Sequence, residues 1–352
     1  MKKIVFLAIM AFSVILSGCT NDQNSDKIRV GVVMPLTGEL AFLGQPFTNA
    51  ILMNTDTSKV ELFIQDTKGE PKIAINIINQ MISANNIDVV ISLKPAISET
   101  INPILEAKGI THFVFAYSPE ITDAKNVIKL YPSSDDEDLS YLNYAKEKGI
   151  KSIVFLRHMF PDAELGYKTV VVPKSKEYGL TVYDEPFDEA TKDFNNLTQK
   201  VKSYNSDLVV VQSLAYNFIN IVKSFQHSGI RDKMLGDLNF NDLYTYDYDI
   251  VKEMENIPFL GLSYVLSDEY KEFDKAYFEK FDEKPTVSAA FPYDVMTVVN
   301  NMKESGTKKE EIINYYNKNV VNGVTGRIVF NEKGKQEIKY EILKYINGEF
   351  TK

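Results

Sequence analysis

Three short stretches carry the polar groups best placed to hold a small molecule. In Pro35–Gly44 (PLTGELAFLG), Thr37 offers a hydroxyl and Gly38 a permissive turn just behind the β-branched run Ile28–Met34. Ala96–Ser98 opens a helical pattern. Backbone N–H groups at a helix N-terminus suit a carboxylate, and the Ser98 hydroxyl adds a further donor or a cap. Ala116-Tyr117-Ser118 follows another apolar run, and there the Ala116 carbonyl and the Ser118 hydroxyl suit a ligand ammonium or hydroxyl. In an open α/β sheet, ligands bind beyond the carboxyl ends of the strands, which is where all three fall. The chemistry within reach is recognition.

Other polar residues at strand ends point less clearly. Arg157 and His158 suit an anionic ligand, although lone basic residues in such loops more often face water. Asp237 and Asp242 lie beyond a later strand end, where one of them could pair with a cation. Nothing in the chain suggests catalysis. There is no Gly-x-Ser-x-Gly elbow, no His-Glu-x-x-His, no Gly-x-Gly-x-x-Gly and no P-loop. The three histidines, His112, His158 and His227, are scattered. No catalytic set, metal or cofactor is expected.

The elements that must position these loops alternate strand and helix, which predicts an α/β fold with parallel sheets. Strands are expected at Ile28–Met34, Val60–Gln65, Val89–Ser92 and His112–Ala116, followed by a short extended crossing segment at Val127–Leu130. Helices are expected from near Phe42, over Lys72–Ala84 and over Ser98–Lys108. Pro132-Ser133-Ser134-Asp135 starts a new helix with good capping residues. The series then begins again with strands at Ser152–Leu156, Leu180–Asp184, Leu208–Val211, Met234–Leu235 and Phe259–Ser263. The intervening helices fall at Leu165–Tyr178, Phe194–Tyr204 and Asn217–His227. Helices at Asp268–Phe281, Ala289–Lys303 and Lys309–Lys318, an extended segment Arg327–Phe330, a turn at Asn331–Gly334 and a final strand Tyr340–Tyr345 complete the two units already built. This gives two lobes, 28–130 plus 265–325 and 131–264 plus 326–352, joined by a three-segment hinge that can close over a ligand.

The leader and composition place the chain. Lys2 and Lys3 precede an apolar run, Ile4–Leu16, and Leu16-Ser17-Gly18-Cys19 closes it, so 1–18 reads as a signal peptide. This ending resembles the bacterial lipobox, which implies a lipid on Cys19 and a chain anchored on the extracytoplasmic face of a membrane. Residues 19–27 then form a polar, flexible tether. Cys19 is the single cysteine, so no intrachain disulfide is possible. The formal net charge of −9 argues against nucleic acid as a partner. A monomer is expected.

The order of several motifs resembles the extracytoplasmic substrate-binding proteins of ABC importers, of the leucine/isoleucine/valine-binding type (type I periplasmic binding protein fold). They are Val30–Gly38, Gln65–Pro71, Val89–Thr100, Ala116–Ser118, Phe291-Pro292-Tyr293-Asp294 and Gly323–Gly334. The resemblance implies two Rossmann-like lobes with parallel sheets, and a receptor that closes on an amino acid, amide or related organic acid and docks on an ABC permease. It also implies that Tyr216 stands where an aromatic lid covers the ligand. Asp237, with a one-residue offset, stands near the acidic residue that meets a ligand ammonium. The chain departs from the family at Leu93–Ser98, where only Ser98 keeps a hydroxyl, and at Asn54–Ser58, which shortens the first helix. The same architecture also serves ligand-sensing and cell-wall-enzyme-regulating lipoproteins, which is the alternative reading.

Overall fold

The computed structural model describes residues 27–38, 40–188, 190–213, 215–245 and 252–352. The expected leader, the Cys19 lipid site and the tether up to Asp26 lie outside the described residues. Two sheets organise the chain. The first has the order β2-β1-β3-β4-β5, with β1 Ile28–Met34, β2 Val60–Asp66, β3 Val89–Leu93, β4 Thr111–Phe115 and β5 Val127–Ile128, all parallel. The second has the order β14-β13-β10-β9-β8-β6-β7. Its parallel part is β6 Ser152–His158, β7 Thr181–Phe187, β8 Leu208–Gln212, β9 Met234–Gly236 and β10 Phe259–Leu262. The hairpin β13 Tyr340–Ile346 and β14 Glu349–Thr351 joins it antiparallel, and a separate small hairpin pairs β11 Asn322–Gly323 with β12 Gly326–Arg327.

Both parallel sets share one winding, second-first-third-fourth-fifth in chain order. The strand order therefore reverses between β1 and β3 in one lobe and between β6 and β8 in the other. Those switch points open crevices at the carboxyl ends of the strands. The central strands β3, β4 and β8 are buried along their whole length, as apolar runs covered by helices on both faces must be.

In the first lobe the helices are α1 Ala41–Met53, α2 Pro71–Asn85 and α3 Pro95–Ala107. In the second they are α4 Ser134–Glu147, α5 Pro161–Gly166, α6 Val172–Tyr178, α7 Asn195–Ser203 and α8 Ala215–Ser228. A π-turn over Tyr167–Val171 joins α5 to α6, so the helix expected as Leu165–Tyr178 starts earlier and changes pitch midway. The late helices are α9 Asp268–Phe281, α10 Ala290–Asn300, α11 Met302–Ser305 and α12 Lys309–Lys318. Of these, α10 packs on α1 and so returns the chain to the first lobe.

The chain passes between the sheets three times, and the passages hold one another. The first, just after β5, pairs with the third: the Lys129 N–H donates to the Gly334 carbonyl at 2.9 Å, and the Gln336 N–H to the Lys129 carbonyl at 2.8 Å. Lys335 Nζ then grips Asp135 at 3.1 Å and Asp136 at 2.7 Å on the first turn of α4. Aromatic edges tie the first passage to the second. Tyr131 and Tyr264 both contact Phe291 of α10, each with ring centroids 5.5 Å apart, and Tyr131 also meets Phe47 and Phe115 of the first lobe.

Candidate functional site

The first crevice is built on a rigid loop. Asp66, at the end of β2, accepts the Leu36 and Lys68 N–H groups, each at 2.8 Å, and the Thr37 hydroxyl. These donors hold its carboxyl below the usual carboxylate range, against the opposing effect of burial. Gln45 Nε2 donates back to the Leu36 carbonyl at 3.1 Å. A Cβ at Gly44 would stand 2.1 Å from the Pro35 carbonyl oxygen, so only glycine lets α1 approach this close. Thr37 is exposed at the rim, with its hydroxyl engaged by Asp66.

Across the β1–β3 switch point stands the N-terminus of α3. The helix starts at Pro95, three residues before the sequence-based expectation, because proline suits the first helical position. Ala96 is exposed there, and the amides of Ala96 and Ile97 fall in the first turn, where N–H groups have no intrahelical acceptor. Lys94 precedes the helix with φ +83° and ψ +136°, a conformation that side chains other than glycine rarely adopt. Lys94 is half-buried and is the residue immediately before α3. Sequence reasoning did not single it out, although a lysine stands there in place of the expected hydroxyl.

The earlier start of α3 turns Ser98 inward. Ser98, Ser92 and His112 are 0 % exposed and Asn102 is 6 % exposed. Ser98 Oγ lies 2.7 Å from Ser92 Oγ, Ser92 Oγ lies 2.7 Å from His112 Nε2, and His112 Nδ1 lies 2.9 Å from Asn102 Oδ1. The Ser98 hydroxyl therefore neither caps the helix nor reaches the crevice. Burial holds His112 down to about 3. Its folded pKa is below the unfolded value of about 6.5, so the neutral ring's contribution is complete above pH 6.5 and is lost as pH falls from 6.5 towards 3. The gap in unfolding free energy between wild type and His112→Gln, measured by urea titration, is expected to shrink by about 1.4 kcal/mol per pH unit between pH 6.5 and 4.5. A gap that ignores pH would mean that the ring is not held neutral.

Ala116, Tyr117 and Ser118 form the next wall. Ala116 and Ser118 are buried and Tyr117 is half-buried. Their carbonyls are partly committed to the hinge: Tyr117 O accepts the Ser134 N–H at 3.1 Å, and Ser118 O accepts Lys129 Nζ at 2.9 Å.

The second lobe turns its acids inward. Asp237 is buried at the end of β9. Its carboxylate accepts the Ser213 N–H at 3.0 Å, the Asn239 N–H at 3.0 Å and Asn239 Nδ2 at 2.9 Å. Burial, reinforced by Glu137, pushes its carboxyl well above the usual range. Glu137 itself accepts Tyr141 and the Leu238 N–H, and Asp138 accepts Gln212 Nε2 at 2.9 Å. Arg157 is fully buried and its charge is met inside the lobe: Nε and Nη2 donate to Asp184, each at 2.8 Å, and Nη2 also donates to Glu164 at 2.6 Å. Asp242 accepts the Val287 N–H at 2.6 Å. The Tyr216 backbone lies in the first turn of α8, and its side chain lies outside what the structure describes.

Among the described residues, no group of three His, Cys, Asp or Glu side chains is arranged to hold a metal. No helix among them is long and apolar enough to cross a membrane. A cavity of about 210 Å³, lined by Phe63, Gln65 and Met81 among others, lies between the edge strand β2 and α2 rather than at the β1–β3 switch point.

Two α/β lobes, equivalent in winding and linked by three passages, with polar loops at both switch points, define a two-lobed binding protein. The Periplasmic binding protein family matches residues 27–340, and the chain belongs to it. The fold agrees. A leucine-binding protein from Thermotoga maritima superposes with a TM-score of 0.74 at 20% identity, over 92% of this chain and 97% of that one. An ABC-transporter solute-binding protein from Rhodopseudomonas palustris, in complex with 3,4-dihydroxybenzoic acid, gives 0.75 at 20% identity over 93% and 95%. A branched-chain amino acid binding protein from Streptococcus pneumoniae, in complex with isoleucine, gives 0.73 at 20% identity over 93% and 98%. A search of curated protein sequences finds no match.

Proposed function

We propose that this chain is an extracytoplasmic solute receptor. In this reading it is tethered by a lipid on Cys19, closes its two lobes on a small organic acid and delivers it to an ABC permease. The lobes are 28–130 plus 265–325 and 131–264 plus 326–352. The observation that carries the ligand class is an asymmetry. Lys94 and the N-terminus of α3 offer positive charge in the first crevice, whereas Asp237, the expected ammonium partner, has both carboxylate oxygens occupied by Ser213 and Asn239. A carboxylate without an ammonium fits this better than an amino acid does. Ala96, with Ile97, supplies backbone donors. Thr37 and Ala116–Ser118 line the rim and the wall, and Tyr216 is the candidate lid. Closure requires that the ligand bind the closed form more tightly than the open one.

The backbone strain at Lys94 supplies a second argument, because strained residues persist where function holds them. Lys94→Gly is expected to raise the unfolding free energy by about 1 kcal/mol and at the same time to weaken carboxylate binding at least tenfold. Chemical unfolding and titration calorimetry check the two halves separately. The class itself is tested by thermal shift with benzoate, 4-hydroxybenzoate, aliphatic mono- and dicarboxylates, amides and L-amino acids. A ligand at a hundredfold excess over its Kd adds about 2.7 kcal/mol, so an acid that fits raises Tm visibly. No shift across the panel would remove the receptor reading.

A further inference from the structure

Ser98, Ser92, His112 and Asn102 interrupt an otherwise apolar interface. Around them, Val90 of β3 and Ile97, Ile101 and Leu105 of α3 pack as one buried cluster. Apolar contacts of this kind allow a helix to slide or rotate by small amounts, whereas a chain of buried hydrogen bonds admits one register. The four residues have the types of a nucleophile, a base and its orienting group. All are sealed inside the lobe, so their chemistry is turned to holding structure.

The direction of each proton follows from the donors available. Asn102 Oδ1 can only accept, so His112 Nδ1 carries the hydrogen. His112 Nε2 is then bare and accepts the Ser92 hydroxyl. The Ser92 oxygen in turn accepts the Ser98 hydroxyl. Each of these donors has one assigned acceptor, and the chain runs from the end of the first turn of α3 through β3 and β4 and back to α3 one turn later. Ser98 and Asn102 are four residues apart, so they grip one face of α3 at two levels. The Ala96 and Ile97 amides and Lys94 are the residues immediately before Ser98.

We propose that His112 is a positioning residue for ligand binding: through Ser92–Ser98 on one side and Asn102 on the other, it sets the axial position and rotation of α3 and so aims the amides of Ala96 and Ile97 at the crevice. The functional meaning rests on the carboxylate-receptor reading, but the test does not. With three histidines in the chain, ¹⁵N-histidine labelling gives a spectrum simple enough to assign. The wild-type His112 ring is expected in the Nδ1–H tautomer, which is the minor form of a free imidazole. Finding the Nε2–H tautomer would overturn the proton chain.

Hydrogen exchange on the ligand-free protein tests the positioning. His112→Phe keeps the volume apolar and removes both hydrogen bonds. It is expected to speed exchange at the amides of Ser98–Asn102, the first of which is bonded to the Lys94 carbonyl, at least tenfold while Ala74–Met81 of α2 stay within twofold. His112→Gln, which retains a donor and an acceptor, is expected to recover most of the protection, and Ser98→Ala to reproduce the effect at the N-terminal turn alone. Equal acceleration in α2 and α3, or none in either, would mean that His112 only fills space. Failure of the ligand panel with these results intact would overturn the carboxylate reading and leave the brace standing.

Discussion

Arg157→Ala is expected to lower the unfolding free energy by about 3–4 kcal/mol, one of the largest effects of any single change in the chain. The side chain is fully buried, meets Asp184 with two nitrogens and reaches Glu164 on α5. Its guanidinium carbon also lies 5.0 Å from the ring centroid of Tyr167. Removing it leaves a void where the stem packed and an uncompensated Asp184. The Glu164 contact adds little, because that carboxylate is 42 % exposed and screened by water. Arg157→Met refills the volume without the charge, so it is expected to cost only about 2 kcal/mol. Urea unfolding of the two variants separates packing from pairing. Equal losses would mean that packing contributes nothing beyond the ion pair.

Asp294→Ala should cost a similar amount, about 3–5 kcal/mol, for a different reason. Asp294 is fully buried on α10, where Oδ1 accepts the Val324 N–H at 2.8 Å. Oδ2 accepts the Thr325 N–H at 2.8 Å and the Thr325 hydroxyl at 2.6 Å. One carboxylate thus satisfies three donors at the start of the third passage between the lobes. Without it, the buried Val324 N–H and the half-buried Thr325 N–H and hydroxyl lose their acceptor, each at a cost of about 1–3 kcal/mol less whatever rehydration the passage permits, although the Thr325 oxygen still accepts Gln336 Nε2. Asp294→Asn keeps one acceptor and turns an NH₂ towards N–H groups, so a loss of about 2 kcal/mol is expected. A Cβ at Gly323 would stand 2.3 Å from Asp294 Oδ2, so Gly323→Ala disturbs the same anchor from the other side. Thermal unfolding monitored by circular dichroism checks all three variants. A cost under 1 kcal/mol for Asp294→Ala would show that water replaces the carboxylate readily.

Much of the fold is legible along the chain because strands and helices announce themselves locally. The β-branched run Ile28–Met34 and the helices Asp268–Phe281 and Lys309–Lys318 stand where their patterns place them, to the residue. The strands expected for both sheets deviate by a few residues at most, whereas the edge strand β14 Glu349–Thr351 was not expected. The departures have local causes. Pro95 starts α3 three residues early, and the π-turn at Tyr167–Val171 re-phases the helix that follows β6. The site was less legible, since its residues act through partners far away in sequence. Spacing says nothing of Asp237 being met by Ser213, or of Arg157 being met by Asp184. The inward turn of Ser98 hangs on which residue begins α3, the kind of boundary that a hydrophobic pattern leaves loose. Pro95 was the sign, because proline prefers the first helical position. The strain at Lys94 is a backbone property that no residue type reveals.

Where a bound carboxylate sits decides between an organic-acid receptor and an amino-acid receptor. A crystal structure of the protein with the tightest ligand from the thermal-shift panel tests this most directly. The predicted result is a closed cleft, with the ligand carboxylate within hydrogen-bond distance of the Ala96 and Ile97 amides and of Lys94 Nζ, and with Asp237 still bonded to Ser213 and Asn239. A ligand ammonium on Asp237, with those bonds broken and Lys94 turned away, would contradict it and return the protein to the amino-acid binders.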